Sequence, residues 1–402
     1  MIKKISIDEL EPGMEVVKLS SEMWEHLPHL YAEPGIIESG EQVARLKAEG
    51  YRQVFVQMKD ENRGLTDEQR LDQLISNREA APAHKERAPF PQAMKATRVT
   101  YESAMSCAMR IVNDAKLGRK MDYQAAVDTA SAIVDCAIRN PDTLVCLSKL
   151  SEFDDYTYTH SINVAAIAVV FGEYIGMTRE ELVDLGMAGM MHDLGKTSVD
   201  QNIVNKPAKL TPEEFAEMRK HPAYGFVLLK SNPDIPSKVL EAVRLHHEKY
   251  NGSGYPSGLT RREIPAFARI ICLADIYDAL TSNRCYRDAI LPNKALGIMY
   301  GMREQEFDPL EIQLFIKCLG IFPSGSLVQL NTGDYAVVRE SNPGKPLSPK
   351  IRVILNKTMH PIRARDVNLA DGVKSGDTEL EIIECADPGV YKKSLINYMT
   401  AN

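Results

Sequence analysis

MHDLGKTS, Met191–Ser198, sets a histidine beside an aspartate at the point where a helical repeat stops. Upstream, Thr178 and Glu181 have capping-box spacing, and Leu182, Leu185, Met187 and Met190 recur on the helical period, while Gly195 offers a stop. The pair His192-Asp193 therefore falls on the last turn of a predicted helix. Successive helical residues point about 100° apart, so the imidazole can face one ion while the carboxylate bridges two.

The same reading extends outward. His246-His247 end a helix marked by Val239, Leu240, Val243 and Leu245, and His160 lies early in one that continues through Asn163, Val164 and Ala168. Asp275 sits within ICLADIYDAL beside apolar Ile271, Leu273 and Ala274, where a carboxylate needs a partner or an ion. With His221 these make seven potential ligands in one helical region, enough for two metal ions. A mixed imidazole and carboxylate set suits iron, manganese or zinc, whereas magnesium and calcium prefer all-oxygen shells. A lone His-Asp dipeptide carries little information, and the argument rests on co-occurrence. His26, His29, His84 and His360 fall outside this region and read as ordinary surface or packing residues, and Met187, Met190 and Met191 as core filler.

Composition sets the frame. With 402 residues and 44% hydrophobic content the chain can bury a sizeable core and form two or three domains. Lys plus Arg total 48 against 55 Asp plus Glu, a net charge of −7 without long runs of one sign, which argues against binding to long nucleic acid. The seven cysteines, Cys107, Cys136, Cys146, Cys272, Cys285, Cys318 and Cys385, contain no C-x-x-C pair, which argues against a disulfide framework or thiolate zinc site. No basic-then-apolar leader is visible, and the predominantly apolar stretch Ile162–Phe171 is too short to span a bilayer. A cytoplasmic protein without membrane insertion is expected, its oligomeric state, homodimer included, left open.

The fold class expected is multi-domain: a mainly α-helical catalytic domain flanked by a small N-terminal α+β module and a small C-terminal β-rich module. Lys4–Ile7, a Glu11-Pro12-Gly13 turn, Met14–Leu19, a helix after Ser39 and a strand over Tyr51–Met58 make the N-terminal module, residues 1–75. Pro82, Pro89 and Pro91 among alanines and charges mark 76–95 as a linker. Connecting helices follow over 96–140, with helical periodicity from about Val99, and the catalytic domain occupies 141–321. Thr211 with Glu214 gives a second capping box, Pro212 and Pro309 suit first turns, and Asp308 suits a cap. From 322 to 402, Ser326–Leu330, Tyr335–Arg339, Ile351–Leu355 and Glu379–Ile383 read as strands.

HDLGK (His192–Lys196), followed by HHEKYNGSGYP (His246–Pro256), resembles the HD-GYP family, a branch of the HD superfamily of metal-dependent phosphohydrolases. The resemblance covers about 144–319 and takes in DDYTYTHSINVA (Asp154–Ala165), Lys220-His221-Pro222 and ADIYDALTSNRCYR (Ala274–Arg287). It implies a phosphodiesterase that hydrolyses cyclic di-GMP to pGpG, some members continuing to GMP. Carried over by position, His160, His192, Asp193 and Asp275 hold one metal, and Asp193, His221, His246 and His247 the other, Asp193 bridging. Members with a third ion place a glutamate one turn before the first histidine; Tyr156 stands there, so two divalent ions, iron or manganese, are expected. Asn251 replaces an aspartate common in the family, outside the ligand set. The N-terminal module, with EPGMEV, resembles an uncharacterised domain often found in front of this one.

Two ions about 3.5–4 Å apart lower the pKa of a bridging water, giving hydroxide, and orient a phosphodiester for in-line attack. Lys196 is assigned charge stabilisation on the scissile phosphate, and Arg284 and Arg287 the second phosphate. Tyr255 is a substrate-binding candidate in the tight loop of Gly252, Gly254 and Pro256, which shapes the pocket mouth or docks a partner protein. Three rivals stand beside this: a cyclic di-GMP sensor without turnover, an HD phosphohydrolase of another nucleotide, and a di-iron oxygen-binding or redox protein. Filled ligand positions disfavour the first, the GYP segment the second and Lys196 the third.

Overall fold

The computed structural model describes residues 2–10, 15–20, 35–37, 39–48, 53–57, 67–77, 87–150, 156–283, 288–342, 345–375 and 378–400. They divide into two compact units, Met1–Lys85 and Glu86–Asn402.

The first unit runs β1 (Ile2–Ser6), β2 (Glu15–Ser20), β3 (Gly35–Ile36), α1 (Gly40–Ala48), β4 (Gln53–Gln57) and α2 (Asp67–Asn77). Its antiparallel sheet has the order β1-β4-β2-β3. Ile7, Leu10, Val16, Ile37, Val43 and Val54 close its core. This is the expected α+β module; the Glu11-Pro12-Gly13 turn lies outside the described residues.

The connection expected over 76–95 is shorter in the structure. α2 continues to Asn77, and α3 (Phe90–Lys116) starts ahead of Val99, with Pro89 as its N-cap, Pro91 in its first turn, and Phe90, Ala93 and Met94 buried. The first turn of a helix has no intrahelical use for its N–H groups, so these prolines open a helix that composition alone reads as linker.

Eleven further helices follow in the described residues: α4 (Tyr123–Arg139), α5 (Pro141–Leu150), α6 (Tyr156–Ile175), α7 (Arg179–Met191), α8 (Gln201–Val204), α9 (Pro212–Met218), α10 (His221–Lys230), α11 (Ser237–Leu245), α12 (Ala266–Thr281), α13 (Pro292–Gly301) and α14 (Pro309–Leu319). Both predicted capping boxes form, Thr178 with Glu181 on α7 and Thr211 with Glu214 on α9, and Asp308 caps α14. Every residue of α6 from His160 to Phe171 is buried, as expected of a helix surrounded by others. At Gly189 on α7 an added Cβ would stand 2.5 Å from the Ala165 Cα, so only glycine lets α6 and α7 approach this closely.

The C-terminal strands are β5 (Leu327–Leu330), β6 (Tyr335–Glu340), β7 (Lys350–Leu355), β8 (Pro361–Asn368), β9 (Lys374–Ser375), β10 (Thr378–Glu379) and β11 (Ile382–Cys385). Five form an antiparallel sheet in the order β11-β5-β6-β7-β8, and β9 pairs with β10. The stretch predicted as one strand over Glu379–Ile383 is thus divided between the β9–β10 pair and the larger sheet. A final helix, α15 (Lys392–Thr400), packs on α3 and α5 and was not predicted. Buried Asp142 of α5 accepts hydrogen bonds from Ser324 Oγ at 2.7 Å and the Ser341 amide at 3.0 Å, joining sheet and helices in the second unit. No described helix is long and apolar enough to cross a membrane.

Candidate metal centre

Helix ends build most of the site. α7 stops at Met191, so His192 is its C-cap and Asp193 begins the next 3-10 turn, Leu194–Ser198, one step beyond the last turn predicted for the pair. That turn rests directly on α10. A Cβ at Gly195 would lie 1.9 Å from the His221 carbonyl oxygen and 2.4 Å from the Gly225 nitrogen, so glycine is what permits the contact that brings Asp193 to His221. His246 caps α11 and His247 follows it, His160 lies near the start of α6, and Asp275 sits within α12.

The structure brings all seven residues together in two groups: Asp193, His221, His246 and His247, and His160, His192 and Asp275. Asp193 stands between them. Its Oδ2 is 3.4 Å from His192 Nε2 and 3.7 Å from His160 Nε2, while its Oδ1 is 3.3 Å from His221 Nε2 and 4.0 Å from His246 Nε2. Asp275 Oδ1 lies 3.1 Å from His160 Nε2.

Outward hydrogen bonds orient the rings. His192 Nδ1 donates to the Gly189 carbonyl at 2.8 Å, His221 Nδ1 to Met218 at 2.7 Å and His246 Nδ1 to Val243 at 2.8 Å. A carbonyl can only accept, so each Nδ1 carries the proton and each Nε2 turns a lone pair inward. His221 Nε2 then faces His246 Nε2 at 3.4 Å and His247 Nε2 at 3.2 Å, and buried His192 Nε2 has no hydrogen-bond partner among the described residues. Converging lone pairs are unfavourable without a cation, and they are what a metal ligand set with its outward N–H groups satisfied looks like. The residues present therefore fit divalent metal ions.

The charges agree. Burial pushes His246 well below the usual imidazole range and His247 down to about 3, so both stay neutral, as ligands must. Burial opposes ionisation of Asp193, yet Lys196 and His192 outweigh it and hold that carboxyl well below the usual range; His160 does the same for Asp275.

Lys196 Nζ donates to Asp193 Oδ2, and its side chain keeps 30% exposure, so the ammonium stands at the solvent side of the bridging carboxylate. The Tyr255 ring stacks on His247 at 4.8 Å, and the exposed Arg219 guanidinium lies 4.6 Å from the Tyr255 centroid. Arg284 and Arg287 lie outside the described residues.

Three contributors were missed from sequence. Asp278 Oδ2 accepts from His160 Nδ1 at 2.8 Å; its position three residues after Asp275, on the same helical face, was the available signal. Buried Glu248 accepts from the Ser257 amide at 2.6 Å and the Leu259 amide at 3.0 Å, folding the following loop back so that Tyr255 covers His247. Arg219 has no spacing that foretells its contact with Tyr255.

Comparisons with known proteins agree with this geometry. An HD domain model matches residues 141–310, a domain of unknown function matches 2–126, and a KOW domain associated with HD domains matches 327–372. A cyclic di-GMP phosphodiesterase of Pseudomonas aeruginosa is 29% identical over 94% of this chain and 91% of its own length. A cyclic di-GMP phosphodiesterase response regulator of Xanthomonas campestris is 38% identical over 42% of this chain and 46% of its own. A 3'3'-cGAMP-specific phosphodiesterase of Vibrio cholerae is 36% identical over 42% and 36%. The chain thus spans nearly all of the first relative and less than half of the other two. The HD domain match covers the helical unit in which the two histidine groups share one aspartate. With the N-terminal and C-terminal matches, these likenesses make the chain similar to HD-GYP-type proteins.

Proposed function

We propose that this protein is a metal-dependent phosphodiesterase that hydrolyses cyclic di-GMP to pGpG, and onward to GMP, at a dinuclear centre. The observation that carries this reading is Asp193, one carboxylate whose two oxygens face different histidine groups. His160, His192 and Asp275 would hold one ion, His221, His246 and His247 the other, and Asp193 both. Bound there, two divalent transition metals, iron or manganese, supply an activated water and neutralise charge on the phosphodiester.

The remaining steps belong to the chain's own groups. Lys196, already paired with Asp193 and partly open to solvent, places its ammonium on the scissile phosphate or beside the departing oxygen. Tyr255, held over His247 by the loop that Glu248 ties down, walls one side of the site against water. Arg284 and Arg287 are proposed to meet the second phosphate. We assign catalysis to 141–321, with a cytoplasmic setting and the GYP loop as the docking face for any partner protein.

The test is anaerobic purification, loading with Fe(II) or Mn(II), and chromatography of cyclic di-GMP digests beside an Asp193→Ala control, with 3'3'-cGAMP in parallel because one relative carries that name. Metal-dependent pGpG or GMP, absent from the control, is the expected result. Intact cyclic di-GMP with both metals bound overturns it in favour of a sensor, and cleavage of 3'3'-cGAMP alone moves the substrate.

A further inference from the structure

We propose that Asp278, Asn163 and Tyr101 form a chain of positioning residues that aims His160, and that it governs metal loading of one half of the centre without touching the other; this rests on the two-metal reading above. Asp278 is fully buried on α12, one turn after Asp275, and its Oδ2 takes the Nδ1 proton of His160. Asn163 Nδ2 donates to Asp278 Oδ1 at 2.8 Å, and Ser282 Oγ approaches the same oxygen at 3.1 Å. The Tyr101 hydroxyl of α3 donates to Asn163 Oδ1, which fixes the amide with its NH2 toward Asp278. The three bonds that link Tyr101 to Asn163, Asn163 to Asp278 and His160 to Asp278 therefore each have one direction. Tyr101 and Asn163 are 2% and 1% exposed, so water cannot replace a lost member.

A purely structural role accounts poorly for this arrangement. An ionised carboxylate under full burial is costly even with the buried Lys149 ammonium 3.8 Å from Asp278 Oδ1, and apolar residues of similar volume commonly stabilise a core as well as or better than such a pair. The carboxylate is spent where it meets a metal-ligand histidine, the position in which such a partner fixes ring orientation and raises ligand basicity. The contrast lies within the same site. His192, His221 and His246 each use a backbone carbonyl three residues upstream, whereas His160 depends on α12, the rest of α6 and α3. His221 and His246 share no member of the chain.

The experiment is metal titration of the full chain, with Mn(II) electron paramagnetic resonance, on the wild type, Asp278→Asn and the milder Tyr101→Phe. Two Mn(II) per wild-type chain with an exchange-coupled spectrum are expected. In both variants one affinity should fall about 10- to 100-fold while the other holds, and the coupled spectrum should give way to that of an isolated ion. Two unaltered affinities in both variants, or equal weakening of both sites, overturn the proposal while leaving the two-metal reading intact. A wild type that never binds a second ion overturns that reading, and the proposal with it.

Discussion

Two kinds of histidine in the centre are aimed by different routes. Around His221 and His246, the ring orientation is local: each imidazole is tied to the helical turn that precedes it, by a bond of 2.7 or 2.8 Å to its own backbone. Around His160 it is remote, relayed through side chains from three helices. Local anchoring survives changes elsewhere in the bundle, while remote anchoring makes a ligand sensitive to distant packing. Asp193 belongs to both regimes, since it faces both groups from the turn that leaves α7.

Substitutions can break that contrast in graded ways. Asp193→Ala should abolish it: both ions are lost, and hydrolysis falls by about 10³-fold or more, read by metal analysis and turnover together. Gly195→Ala should act on one half. With the new methyl driven into the His221 carbonyl, stability should fall by on the order of 3 kcal/mol, and titration should show the His221 site weakened more than the His160 site. Lys196→Ala should leave both halves metallated and cut turnover about 10²-fold, because charge opposite the phosphate is lost while all ligands remain. Glu248→Gln should be mildest. One of the Ser257 and Leu259 amides loses its acceptor, thermal unfolding shows a loss of about 1–2 kcal/mol, and a loosened Tyr255 loop raises KM with both metals retained.

The locally anchored histidines were the more legible in sequence. His192-Asp193 and His246-His247 announce themselves because each doublet follows an apolar helical repeat, and the structure places them in the two positions just after the ends of α7 and α11. Capping boxes at Thr178 and Thr211 were readable for the same reason, as they depend on neighbours three residues apart. Asp278 and Glu248 both lay in recognised strings, yet Asp278 depends on His160 and Asn163, brought from more than a hundred residues away, and Glu248 on two amides of the loop that follows it. Proline misled in one place. Pro89 and Pro91 resemble linker composition, and only the burial of Phe90 and Met94 against the bundle reveals a helix start. The C-terminal strands were visible through alternation between turn residues, whereas α15 carries a short and weakly apolar pattern that its packing on α3 and α5 rescues.

The carbonyl-anchored histidines carry a consequence for protein engineering. Gly189–His192, Met218–His221 and Val243–His246 are each a four-residue cassette in which ligand and orienting acceptor travel together. Transplanted to the end of another helix, such a cassette brings its own aim and tautomer with it. His160 is not portable in this sense: moved alone, it leaves behind the carboxylate, the amide and the phenol that tell it where to point.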